Sequence, residues 1–150
     1  MRILLAVDGS EYSAEAVKTV AERPWPAGTT VRVLTAVEPF VPPAAELWYD
    51  AGGNLERAQR EMTARAEQLT AGAAETLLAR GLTAERAVRD GEPRSVIVDE
   101  AKEWDADLVV VGSHGYTGLK RWLLGSVAQS VVGHAPCSVE VVRRKQIGES

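Results

Sequence analysis

Apolar positions follow two patterns along this chain, and the two alternate. "RILLAV" (2–7), "TVRVLTAV" (30–37) and "LVVVG" (108–112) are short, largely apolar runs that read as strands, the first and last of them continuous enough to be buried on both faces. "TAERAVRD" (83–90) and "SVEVV" (138–142) interleave small or apolar residues with charged ones and predict strands at the borders of a sheet. Between these runs the spacing changes to threes and fours. Leu55, Ala58, Met62, Ala66, Leu69, Ala73 and Leu77 make one stripe on a long helix ending near Gly81. A first helix, Ser13 to about Glu22, is stopped by Pro24 and Pro26. A third carries Pro93 in its first turn and turns Val96, Ile97, Ala101 and Trp104 inward. A short fourth follows Gly125, with Val127, Ala128, Val131 and Val132.

The resulting order, βαβαβαβαβ, predicts an α/β fold: an open five-stranded parallel sheet with four helices spread over both faces. The most apolar strands, the first and fourth, belong in the middle. The third and fifth, carrying Glu85, Arg86, Arg89 and Glu140, belong at the edges. Right-handed crossovers then favour the order 3-2-1-4-5. No repeat or linker divides the chain, so 1–144 is expected to be one domain, followed by a polar tail at 145–150. The one long loop spans 38–53.

Bulk properties narrow the class. The 150 residues are 45% hydrophobic, enough for a proper core. A net charge of -4 lacks the basic footprint of a nucleic-acid binder. The single cysteine, Cys137, excludes an internal disulfide and suits a reducing compartment. "MRILLAVDGS" has too short an apolar run for a signal peptide, and no stretch approaches the roughly 20 apolar residues of a membrane span. A cytoplasmic protein, without membrane or nucleic-acid partners, is the simplest expectation.

In the order 3-2-1-4-5 the chain reverses direction between strands one and four, and open α/β sheets bind ligands beyond the carboxyl ends of their strands at such a point. Two unusual turns fall there. "AVDGS" follows strand one; "GSHGYTG" follows strand four, with Gly112, Gly115 and Gly118 in quick succession. A helix opening at Gly125-Ser126 adds roughly half a positive charge and four unpaired N–H groups, which suits a phosphate. Gly112 and Gly115 would let a ligand pass against bare backbone, Ser126 could cap the helix and donate its hydroxyl, and Asp8 could accept from a ribose or base. Neither a G-x-G-x-x-G fingerprint nor a P-loop is present. On residues alone the reading ends at a small ligand bearing a phosphate.

The spacing Gly112-x2-Gly115-x9-Gly125-Ser126 resembles the G-x2-G-x9-G-(S/T) signature of the universal stress protein family. The similarity runs through "ILLAVDGSEYSAEAV", "GEPRSVIVDEAKEWDADLVVVGSHG" and "GSVAQSVVGHAPCSVEVVR". It implies an ATP-binding homodimer of the adenine nucleotide α-hydrolase-like group. Carried over, Ala6, Val7 and Asp8 line the adenosine side and the backbone of Val37 meets the adenine edge. Gly112 lies beside the ribose, with His114 next to it, and Gly115, Gly125, Ser126 and Val127 wrap the phosphates. Mg2+ or Mn2+ would accompany ATP on phosphate oxygens and water, with no protein ligand assigned. The homodimer would form through the last strand, Ser138 to Val142, where Glu140 would need Arg143 or Arg144 of the mate to pair with it.

These residues also have plainer readings. Asp8 is a turn former before Gly9, and His114 is a solvated loop side chain. His134 is a helix-end residue favourable to the dipole, and Cys137 a small apolar filler. Lys120 and Arg121 are a solvated loop face, and Trp122 and Leu123 an anchor. The function expected is a nucleotide-dependent regulatory protein in the stress response. The alternative is a slow ATPase or nucleotidyl-transfer enzyme, which would need a positioned base that the sequence does not offer. A ligand-free dimerisation module conflicts with the intact glycine signature, and a receiver domain would need clustered acids after strand one.

Overall fold

The computed structural model describes residues 1–39, 53–115 and 124–144. The chain runs β1 (Arg2–Ala6), α1 (Glu11–Glu22), β2 (Thr30–Val37), α2 (Asn54–Ala79), β3 (Thr83–Asp90), α3 (Pro93–Glu103), β4 (Leu108–Gly112), α4 (Ser126–His134) and β5 (Ser138–Val142). Five parallel strands form one sheet in the order β3-β2-β1-β4-β5, as the hydrophobic pattern predicts. Most of the 38–53 loop and the 145–150 tail lie outside the described residues.

The strand period of two divides the core into two layers. Ile3, Leu5, Val31, Val33 and Val110 meet Ala16 and Val20 of α1 and Ala73 and Leu77 of α2 on one face. Leu4, Leu34, Val109 and Val111 meet Val96, Ile97 and Ala101 of α3 and Ala128 and Val131 of α4 on the other. Ile3, Leu4, Leu5, Val109 and Val110 are wholly buried, because β1 and β4 are covered on both faces.

Local chemistry fixes the ends of α1. Asp8 Oδ1 accepts from the Ser10 amide at 2.8 Å, and Ser10 Oγ accepts from the Ser13 amide at 3.2 Å, so the helix begins at Glu11, two residues before the expected start. It ends before Arg23, which is extended because Pro24 follows.

That exit carries Arg23 to the sheet edge, where its Nη1 and Nη2 donate to the two carboxylate oxygens of Glu140 at 2.7 and 2.6 Å. Glu140 is therefore paired within its own chain. Within the same chain Arg144 pairs with Glu11 of α1.

On the other border the strand charges serve α3. Arg32, in register with Glu85 on β3, bridges it at 2.7 Å and reaches Glu100 of α3 at 2.8 Å. Arg89 bonds the other Glu100 oxygen at 3.2 Å, and the Arg32 guanidinium lies 4.4 Å from the centre of the Trp104 ring. Glu100 is buried, and both of its oxygens are satisfied.

Candidate functional site

β1 and β4 are adjacent and parallel, and the chain leaves them toward helices on opposite faces. A cavity of about 390 Å3 opens where they part. Its apolar lining is Ala6, Leu34, Ala36, Ile97 and Val111, with Leu124, Val127 and Ala128 at α4; its polar lining is Asp8, Ser13, His114 and Ser126, with the bare backbone of Gly115 and Gly125. Such a lining suits a molecule with a flat apolar part and a charged part. Of the residues singled out from sequence, Ala6, Val7, Asp8, Gly112, His114, Gly115, Gly125, Ser126 and Val127 all line this space.

Val37 does not. It is buried at the end of β2, and its carbonyl accepts from the Gly91 amide at 2.8 Å, so that group is engaged by the turn after β3. Ala36, one residue earlier, lines the cavity in its place. Strand alternation puts the Ala36 side chain on the face of Leu34, which also lines the cavity, and the Val37 side chain on the other.

The three glycines differ in what they make room for, and none has a positive φ, so space is what they supply. A Cβ on Gly112 would stand 2.8 Å from the Tyr12 carbonyl carbon and 2.9 Å from Tyr12 Cβ. Gly112 thus lets α1 close onto β4, a packing role in addition to lining the cavity. On Gly125 a Cβ would stand 3.1 Å from the Ser113 carbonyl oxygen and 3.2 Å from His114 Cα. On Gly115 it would meet only the tip of Asp8, Oδ2 at 2.9 Å. Asp8 is both turn former and cavity wall: Oδ1 is held by the Ser10 amide, while Oδ2 faces Gly115.

At the head of α4 the N-cap is Gly125, and no side chain caps the helix. Ser126 is the first helical residue, which corrects the reading of it as the cap. Its hydroxyl and the first amides of α4 stand at the cavity with the partial positive charge of the helix end. His114, which the sequence places near the site as either a ligand contact or a solvated side chain, is 6% exposed. Its ring packs on Tyr12 with centroids 5.0 Å apart, and Nδ1 lies 3.0 Å from Ser113 Oγ. Asp8 and His114 are the titratable side chains that line the cavity among the described residues.

Elsewhere, His134 sits in the last turn of α4, and its Nδ1 bonds the Ser130 carbonyl at 2.8 Å. Cys137 is half-buried, and burial, with the charge of Asp107 second, pushes its thiol above the usual value, away from nucleophile chemistry. Lys120, Arg121, Trp122 and Leu123 lie outside the described residues. Sequence reasoning passes over Tyr12, Ala36, Pro93 and Ile97. The period of β2 carries a signal for Ala36; Tyr12 has none, since its role depends on where α1 meets β4.

The whole of this frame matches a known one. The family model for the universal stress protein family covers residues 1–143. The chain belongs to the universal stress protein family. Universal stress protein YxiE of Bacillus subtilis is 30% identical to it over 145 residues, covering 95% of this chain and 98% of that one. Among solved structures, hypothetical protein MJ0577 superposes with a TM-score of 0.82 at 27% identity, covering 97% of this chain and 96% of that one. The universal stress protein from Archaeoglobus fulgidus in complex with dAMP superposes with a TM-score of 0.70 at 25% identity, covering 95% and 98%. In this universal stress protein the cavity described above is lined by the two segments that carry the glycine signature, the end of β1 with the turn after it, β2 and the start of α3. Among its described helices, none is long and apolar enough to cross a membrane.

Proposed function

We propose that this universal stress protein binds ATP in the cavity between β1 and β4 and acts as a nucleotide-dependent regulatory protein in the cytoplasm. The observation that carries the reading is one cavity at the switch point lined both by apolar side chains of β1, β2 and α3 and by Asp8, His114 and the head of α4. The base fits among Ala6, Leu34, Ala36 and Ile97; Asp8 takes the ribose; Gly115, Gly125, Ser126 and Val127 take the phosphates. The A. fulgidus relative with dAMP supports an adenine nucleotide in this family. The unpartnered Nε2 of His114 fits an acceptor-rich ligand. Mg2+ or Mn2+ rides on phosphate oxygens and water, so divalent ion deepens affinity without protein ligands of its own. Native mass spectrometry of freshly purified protein tests the reading: an adenine nucleotide mass should travel with the protein or appear on adding ATP, and its absence in both cases overturns it.

Hydrolysis is expected to be slow, on the order of less than one turnover per minute against the ~10 per second of dedicated enzymes. The polar groups at the cavity include the first amides of α4 and the Ser126 hydroxyl, with Asp8 and His114 as its titratable side chains, the former held through Oδ1 by the Ser10 amide. A steady-state rate near one per second, lost in Ser126→Ala, would establish the enzyme reading instead.

The same proposal includes a homodimer through β5. Val139 and Val141 are half-buried on this edge strand, and Arg23 has already neutralised Glu140, which removes the like-charge objection to bringing two copies together. Val141→Lys should shift the protein from dimer to monomer at micromolar concentration in sedimentation velocity, with its far-UV spectrum retained. A wild type that is monomeric under those conditions refutes this interface.

A further inference from the structure

The peptide group that joins Leu124 to Gly125 is fastened at both ends. Its N–H, on Gly125, donates to the Ser113 carbonyl at 2.8 Å, and its C=O, on Leu124, accepts from Gln129 Nε2 at 2.7 Å. The two groups of a trans peptide point in opposite directions, so these bonds fix the plane between them. Each anchor is itself held. The Ser113 amide donates to the Val142 carbonyl of β5 at 2.8 Å, and the Gln129 amide donates to the Gly125 carbonyl at 3.0 Å, opening the ladder of α4. Gln129 thus gathers two consecutive carbonyls, one with its main chain and one with its side chain. Leu124 and Gly125 both line the cavity. No side chain caps α4, so the N–H groups of its first turn have no partner within the helix.

The fastening answers a weakness that the glycine brings. A Cβ on Gly125 would crowd the Ser113 carbonyl oxygen at 3.1 Å and His114 Cα at 3.2 Å, so the close approach of this turn to the end of β4 requires glycine. Its φ is -64°, yet glycine populates positive φ about as readily, so the residue itself does little to stop the plane from rotating. Rotation would break both bonds and carry the Leu124 oxygen from the Gln129 side of the turn to the Ser113 side. There it would face another carbonyl oxygen, the turn would have to open, and the head of α4 would move with it. We propose that Gln129 is a positioning residue for the bound phosphate: it holds the Leu124–Gly125 peptide in the orientation that presents the head of α4 to an anion. The proposal rests on the nucleotide reading of the cavity. Gln129 is exposed and lies outside the cavity lining, so it acts through this peptide and not by touching the ligand. A glutamine suits the task, because its amide donates a hydrogen bond without adding charge.

Gln129→Met removes the donor and keeps the length of the side chain and its helix propensity, so the melting temperature should match that of wild type. In the free variant the plane also samples the rotated orientation, and binding first has to recover the held one. Calorimetry on nucleotide-free protein should show ATP affinity falling about two- to ten-fold, the range set by the net worth of one hydrogen bond. Adenosine, which lacks the phosphate, should bind both proteins alike in NMR titrations. The Gly125 amide should exchange with solvent faster in free Gln129→Met than in free wild type, and ATP should restore its protection. Where adenosine binds too weakly to follow, this exchange decides. Equal ATP affinity in two proteins that both bind ATP overturns the role of Gln129 and leaves the site standing. An equal loss for ATP and adenosine overturns it too, because the effect is then not on the phosphate. Failure of wild type to bind ATP overturns the nucleotide reading, and this role with it.

Discussion

Gly115→Val is expected to abolish ATP binding while the protein stays folded. A Cβ at this position meets only Asp8 Oδ2, at 2.9 Å, and a short side chain tip can swing aside. The backbone there does not need a positive φ, so valine brings no conformational strain. What it brings is a branched group inside the cavity and a displaced Asp8. Both changes act on the ligand and neither on the core. A loss of at least about 100-fold in affinity, or ~2.8 kcal/mol, follows. The same change at Gly112 is expected to behave otherwise, because its Cβ would press on the main chain of Tyr12 at 2.8 Å, which cannot move without lifting α1 off β4. Gly112→Val should therefore lower the melting temperature as well as binding. Calorimetry with ATP and thermal unfolding of the two variants make the comparison. Wild-type affinity in a folded Gly115→Val variant would remove the phosphate path from this loop.

The second large effect is on stability. Glu100→Ala is expected to cost about 2–3 kcal/mol. Glu100 is 3% exposed and accepts from Arg32 at 2.8 Å and Arg89 at 3.2 Å. Removing one partner of a buried ion pair typically costs about 3–5 kcal/mol, since the charge left behind is uncompensated. Here the cost is reduced, because Arg32 keeps Glu85 and Arg89 is half-exposed and can turn to water. For a chain of this size the change corresponds to a drop of roughly 5–10 °C in melting temperature. Urea unfolding of Glu100→Ala checks it, and a change smaller than about 0.5 kcal/mol, the range of ordinary surface substitutions, would show the network carries no net stabilisation. Since α3 also presents Ile97 to the cavity, ATP affinity should weaken with it.

The fold was legible because its physics is local and repetitive. Continuous apolar runs such as "RILLA" and "LVVV" belong only where both faces of a strand are covered, and charged runs such as "TAERAVRD" only at an edge, so pattern alone ordered the sheet. Once the order was known, the place of the cavity followed from topology, and with it Asp8, Gly115, Gly125 and Ser126. The face a residue presents at a strand end was not legible. Val37 and Ala36 are one residue apart and face opposite ways, and a shift of one position exchanges them.

Three assignments waited for tertiary contacts. Glu140 finds Arg23, 117 residues away in sequence, because Pro24 turns the end of α1 toward the β5 edge. Gly112 is small for the sake of Tyr12, a residue with no pattern to mark it. His114 is buried, with one nitrogen unsatisfied, because Ser113 is held between β5 and α4. The sequence by itself determined the family, the sheet and the switch point, since periodicity, spacing and chain crossing are properties of short segments. Pairing, crowding and burial join segments far apart in the chain, and only the tertiary structure decided them.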